Sequence, residues 1–174
     1  MSSEWNNELN LQFTIVAVPS LYVPVSGPKI FLAGSIDRTK GRNWREEITD
    51  YIQESWFESE FNTDHITIYS PRRADDKWKP DMEVEQAAWD MSMLSMADYI
   101  ILHLTGDTVS PVSLLELGIF MKSPKLYMTV DSSYKRKRIV ELYTANYCDN
   151  KISDSLVDSV NEIKTHWLNK TRSD

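Results

Sequence analysis

Asp90-Met-Ser-Met-Leu-Ser-Met-Ala-Asp98-Tyr-Ile-Ile-Leu-His-Leu-Thr-Gly-Asp-Thr-Val-Ser110-Pro-Val-Ser-Leu-Leu-Glu116-Leu-Gly118 joins the end of one amphipathic stretch to the start of another through an apolar run. The run Tyr99 to Leu104 has no polar face, which suits a strand covered by helices on both sides of a parallel sheet. Thr105-Gly-Asp-Thr reads as the loop after it. Ser110-Pro111 predicts a helix start: Ser accepts from free backbone N–H groups, and Pro lacks an N–H that a first turn leaves unused. The order helix, strand, loop, helix indicates an α/β fold. It also sets Asp90 on one helix and Glu116 about one turn inside the next. Ligands of open α/β sheets bind outside the carboxyl ends of the strands, so both acids are expected at one crevice.

The same alternation continues on either side. Upstream, residues 1–28 read as a polar lead-in with one short strand, Phe13 to Val18, followed by the breakers Pro19, Pro24, Gly27 and Pro28. Residues 29–174 read as a single domain that opens with the buried strand Lys29 to Ala33. Trp44, Ile48, Tyr51/Ile52 and Trp56 recur at helical spacing, and Ile66 to Tyr69 forms a short strand. From about Met82 to Met96, Val84, Ala87/Ala88, Met91 and Leu94 predict the buried face of a helix with Asp90 at its border. On this reading Trp89, Met93 and Met96 form an opposite stripe that packs either beneath another element of the same chain or against a neighbouring subunit. Lys125 to Val130 is a further strand, Lys135 to Arg138 a solvated helix face, and Leu156, Val160, Ile163 and Trp167 mark a terminal helix.

Composition narrows the class. With 41% apolar and 26% charged residues the chain has the profile of a globular protein. Its net charge of −7 argues against a polymeric nucleic-acid partner, which demands clustered cations. Cys148 alone forms no intrachain disulfide, and with His65, His103 and His166 it gives no zinc-ligand spacing. The longest apolar run is too short to span a membrane, and the first residues lack a basic-then-apolar leader pattern, so a cytoplasmic protein is expected.

Several residues carry candidate chemistry. Glu116 lies near a helix start, where free N–H groups and the helix dipole favour negative charge, so it is expected to stay ionised, as a nucleophile must. Asp90 is placed to bind and protonate a leaving group. Paired carboxylates in one cleft suit bond cleavage at a sugar carbon. The loop Gly34-Ser35-Ile36-Asp37-Arg38-Thr39-Lys40-Gly41-Arg42 combines a hydroxyl, glycines and cations before a helix, a composition that can cradle phosphate. Arg72, after the next strand, approaches the same sheet edge. Asp98 reads as the polar residue of a helix-to-strand junction.

These residues resemble the nucleoside 2-deoxyribosyltransferase family and its nucleotide-hydrolysing relatives. The likeness is carried by Ile30-Phe-Leu-Ala-Gly-Ser35-Ile, by Glu85-Gln86 leading to Asp90, by Ala97-Asp98, and by Ser110 leading to Leu115-Glu116-Leu-Gly118, over roughly residues 29–130. It implies a flavodoxin-like three-layer sandwich with a mostly parallel sheet of about five strands. It further implies cleavage of the N-glycosidic bond of a 2′-deoxynucleoside or its 5′-monophosphate. Glu116 would attack C1′, Asp90 would handle the proton of the base, and a second base or water would resolve the glycosyl-enzyme.

By the same resemblance Phe31, Gly34, Ser35, Asp37, Arg38, Arg72 and Ser110 are the substrate-binding positions, and no metal or organic cofactor takes part. Relatives commonly carry Tyr at the place of Phe31, and transferases carry Asp at the place of Ser110. The Phe removes a hydroxyl that steadies the nucleophile, and the Ser favours a 5′-phosphate. The ligand implied is a small nucleoside or nucleotide, and the assembly a homodimer or higher homo-oligomer. Two alternatives are a nucleotide-binding module of weak or no turnover and a hydrolase of another N-ribosyl bond such as that of NAD.

Overall fold

The computed structural model describes residues 13–22, 26–36, 43–57, 65–73, 79–106, 108–148 and 151–172. In chain order the elements are β1 (Phe13–Ala17), β2 (Lys29–Gly34), α1 (Trp44–Phe57), β3 (Ile66–Ser70), α2 (Glu83–Met96), β4 (Tyr99–Leu104), α3 (Pro111–Phe120), β5 (Leu126–Val130), α4 (Lys137–Tyr147) and α5 (Leu156–Thr171). A 3₁₀ turn, Pro80–Met82, leads into α2. The strands form one all-parallel sheet in the order β1-β3-β2-β4-β5, so the short N-terminal strand belongs to it through β3.

The central strands are covered on both faces, as their continuous apolarity requires. Trp44, Ile48, Ile52 and Trp56 of α1 and Val160 and Ile163 of α5 close one face over Ile30, Leu32 and Ile101. Trp89, Met93 and Leu94 of α2, Leu117 of α3 and Val140 of α4 close the other over Phe31, Ala33 and Leu102. The result is a three-layer α/β sandwich of flavodoxin-like type. After β2 the chain goes outward to β3 on one side and returns to β4 on the other. The paired strands β2 and β4 therefore border the point where strand order reverses, and a crevice opens beyond their carboxyl ends.

Two sequence expectations are corrected in α2. The helix is rotated from its predicted phase: Trp89 is 3% exposed and Met93 and Leu94 are buried, whereas Val84 and Met91 are 82% and 64% exposed. Trp89 and Met93 are therefore core residues and cannot form the proposed intersubunit stripe with Met96. Burial area explains the choice of face. A Trp side chain removes roughly 150–250 Å² from water at about 25 cal/mol per Å², more than Val84 or Met91 can offer. Its ring lies 6.1 Å from Phe31 and 6.4 Å from Tyr69, and its Nε1 donates to Ser20 O at 2.6 Å. Near the basic run the structure has α4, with Val140 and Thr144 turned inward and Arg138 exposed.

Trp89→Ala is expected to lower unfolding stability by about 3–5 kcal/mol, while Val84→Ala changes it by less than about 0.5 kcal/mol. Urea denaturation of both variants distinguishes this phase of α2 from the one the hydrophobic pattern suggests.

Candidate active site

Gly34 ends β2 with φ +128, and a Cβ added there would stand 2.1 Å from His103 O of β4. Only glycine fits this approach, which carries the pairing one residue further, to Ser35 N donating to His103 O at 2.8 Å. The Ser35 hydroxyl, buried at the sheet edge, accepts from Thr105 N at 2.9 Å and shares a hydrogen bond of 2.6 Å with the Ser110 hydroxyl. Thr108 Oγ1 also bonds Ser110 Oγ.

Ser110 does not cap α3 with its side chain as expected. It adopts a left-handed conformation, φ 49 and ψ 54, which points the hydroxyl to Ser35 and Thr108 instead. Its carbonyl still accepts the first bond of α3, from Leu114 N at 3.0 Å.

Asp90 projects from α2 beside the buried Trp89. Gln86, one turn earlier, donates to Asp90 Oδ1 at 3.0 Å and to Pro71 O at 2.9 Å, tying the carboxylate to the loop after β3. Glu116 projects from the second turn of α3 toward the same space. A cavity of about 330 Å³ brings the two acids together with Ala33, Gly34, Arg45 and Ser110, a volume at the lower end of small-molecule sites.

The electrostatics reverse one expectation. Glu116 is pushed up to about 7, chiefly by burial and then by the charge of Asp90, with Arg45 acting in the opposite sense. It lies beyond the first turn, where unbonded N–H groups no longer reach it, so helix placement alone does not hold it ionised. Asp90 is pushed up to about 6 by burial, while the Gln86 hydrogen bond and Arg45 favour its charged form. The two acids titrate as a coupled pair, and near neutrality the pair holds about one proton.

Arg45 is the charged cavity residue that the sequence reading missed. It lies in the first turn of α1, buried, and donates Nε to Leu32 O at 3.1 Å, one terminal nitrogen to Ser35 O at 2.8 Å and the other to Gly34 O at 2.8 Å. Trp44 Nε1 also reaches Ser35 O, at 2.9 Å. Asn43 Oδ1 caps the helix by accepting from Arg45 N at 2.9 Å. A signal was present: Arg45 shares a stripe with Ile48, Thr49 and Ile52, and a charge on a buried stripe is the informative exception.

The remaining positions divide. The Phe31 ring is fully buried in the core against Trp89 and does not line the cavity. Arg72 pairs with Glu46 at 3.2 Å, and Arg73 with Glu85 at 2.6 Å. Asp37 and Arg38, with the rest of residues 37–42, lie outside the described residues. Asp98 accepts from Lys29 N at 3.0 Å, a junction role remote from the cavity. Among the described residues no group of three or more His, Cys, Asp or Glu side chains could hold a metal ion, and no helix is long and apolar enough to cross a membrane.

No curated protein matches the chain. A family model described as nucleoside 2-deoxyribosyltransferase like matches residues 27–134, a span that contains every cavity residue from Ala33 to Glu116. With more than half of its length matched, the chain belongs to the nucleoside 2-deoxyribosyltransferase-like family.

Proposed function

We propose that the protein cleaves the N-glycosidic bond of a 2′-deoxynucleoside or its 5′-monophosphate through a covalent intermediate on Glu116. The observation that carries this reading is the convergence of Glu116 and Asp90 on one cavity at the strand-order switch. A Glu116 carboxylate oxygen attacks C1′ while the C1′–N bond breaks. The electron pair of that bond stays with the base nitrogen, which takes the proton of Asp90. In the second half, water or another base loses a proton to Asp90 and attacks C1′, releasing Glu116 with net retention. Ser110 and the start of α3 offer a hydroxyl and backbone N–H groups to the 5′ end of the sugar, while Ser35, fully buried outside the cavity lining, holds the Ser110 hydroxyl in place. A serine rather than a carboxylate there favours the 5′-monophosphate.

Incubation with deoxynucleosides and their monophosphates, with and without an acceptor base, tests the reading by chromatography of the released base. Glu116→Ala is expected to lose at least about 10³-fold in kcat, and base release that survives this change overturns the mechanism. Ser110→Asp is expected to lower kcat/KM for monophosphates more than for nucleosides. The active form carries one proton on the pair, so kcat/KM should fall below about 6, where both acids are protonated, and above about 7, where both are ionised. Phe31 favours a second reading, a binding module of weak turnover, because β2 supplies no hydroxyl at that position. That reading expects nucleotide-dependent thermal stabilisation without base release.

We infer also that a second copy covers the outer faces of α2 and α3. Val84, Met91, Val112, Leu115 and Ile119 are exposed there, whereas among the described residues of α1 and α5 Val157 is the one exposed large apolar side chain. The exposed apolar side chains of α4, Ile139, Leu142, Tyr143 and Tyr147, belong to the same helical layer. Glu116, turned into the cavity, is the one charged residue of α3, so nothing on that helix repels an identical face. Light scattering should find a species of about twice 20.2 kDa that Ile119→Arg converts to monomer. A monomeric native protein excludes this interface.

A further inference from the structure

A nucleophile buried beside a second carboxylate needs a nearby source of positive charge, and the described residues contain one that no ion pair occupies. The Arg45 guanidinium lines the cavity with Asp90 and Glu116, yet its hydrogen bonds go to Leu32, Gly34 and Ser35 carbonyls. Carbonyls fix the position of the cation without neutralising it. Arg45 stands on α1, in the helical layer opposite α2 and α3, and reaches the cavity by crossing the end of β2. We propose that Arg45 is the positioning residue that holds Glu116 in its reactive, ionised state, acting across the end of β2 as the fixed countercharge of the acid pair. This rests on the glycosidic reading for its consequence in rate, but not for its electrostatics.

The charges that face the pair support the assignment. Arg45 is lowered only to about 10 by its burial, so it remains a cation throughout the neutral range. Arg72 is the other described cation acting on Arg45, and it is paired with Glu46. His103, on β4 behind the guanidinium, is held down to about 4 by burial and stays neutral where the pair titrates. Beyond its burial, Glu116 thus feels two opposing charges, that of Asp90 from α2 and that of Arg45 from α1. Removing Arg45 leaves the repulsion and the desolvation uncompensated, so Glu116 retains its proton to higher pH.

The test is a carboxylate titration of carbon-13-labelled protein by NMR, with the Glu116 signal assigned through Glu116→Gln, alongside the pH profile of base release. Arg45→Gln is expected to raise the Glu116 midpoint by about one unit or more, a tenfold change in proton affinity, and to move the alkaline limb of kcat/KM upward by the same amount. Arg45→Lys, which keeps the charge but not the fork, should hold the midpoint near the native value. A folded Arg45→Gln with the native midpoint overturns the proposal. If Arg45→Gln alone fails to fold, the double variant with Glu116→Gln decides. Recovered folding identifies the unpaired Glu116 charge as the cause, and continued failure assigns Arg45 to the carbonyl clamp and overturns the electrostatic role. The NMR midpoint reads this inference even if no substrate is cleaved, so its failure is distinct from failure of the proposed reaction.

Discussion

The close approach of β2 and β4 at Gly34 is the constraint on which the site depends. Because nothing but hydrogen fits between the Gly34 Cα and His103 O, β2 stays paired with β4 to its last residue. Ser35 is then delivered to the sheet edge with its hydroxyl toward the β4–α3 connection. That connection begins α3 at the height that directs Glu116 into the crevice. The same three carbonyls that end β2 receive the Arg45 fork, so strand pairing, helix start and cation placement share one origin.

The charge arrangement follows from this geometry. Burial disfavours the ionised form of both acids, and their proximity compounds it for Glu116. The displacement of Glu116 from 4.5 to about 7 corresponds to roughly 3 kcal/mol of disfavoured ionisation. A site that must contain both a proton donor and a carboxylate benefits from such a balance, since one proton shared near neutrality supplies both states at once. The bonds from Gln86 to Asp90 and from Arg45 to the strand end fix which groups take part.

Legibility in the sequence varied with the kind of information each feature needs. Strands β2, β4 and β5 are mostly apolar runs, and local composition sufficed to place them and to place Asp90 and Glu116 on either side of β4. The phase of α2 was not legible, because both of its stripes are apolar. Val84 and Met91 satisfy helical spacing as well as Trp89 and Met93 do, and the indole is selected by its packing on Phe31 and Tyr69, partners distant in sequence. Arg45 escaped because its partners are backbone carbonyls, which no side-chain pattern encodes. The titration of Glu116 escaped because helix position is visible in a sequence and desolvation is not.

The left-handed conformation of Ser110 gives this position a stability that runs against its chemistry. A non-glycine residue at φ 49 carries a steric penalty of roughly 1–2 kcal/mol that glycine would not incur. Glycine would also remove the hydroxyl that joins Ser35 to Thr108. The backbone and the site therefore favour different residues at one position. A Ser110→Gly variant exchanges that relieved strain for two lost hydrogen bonds of about 1 kcal/mol each, so its melting temperature would stay near the native value while the pocket is dismantled.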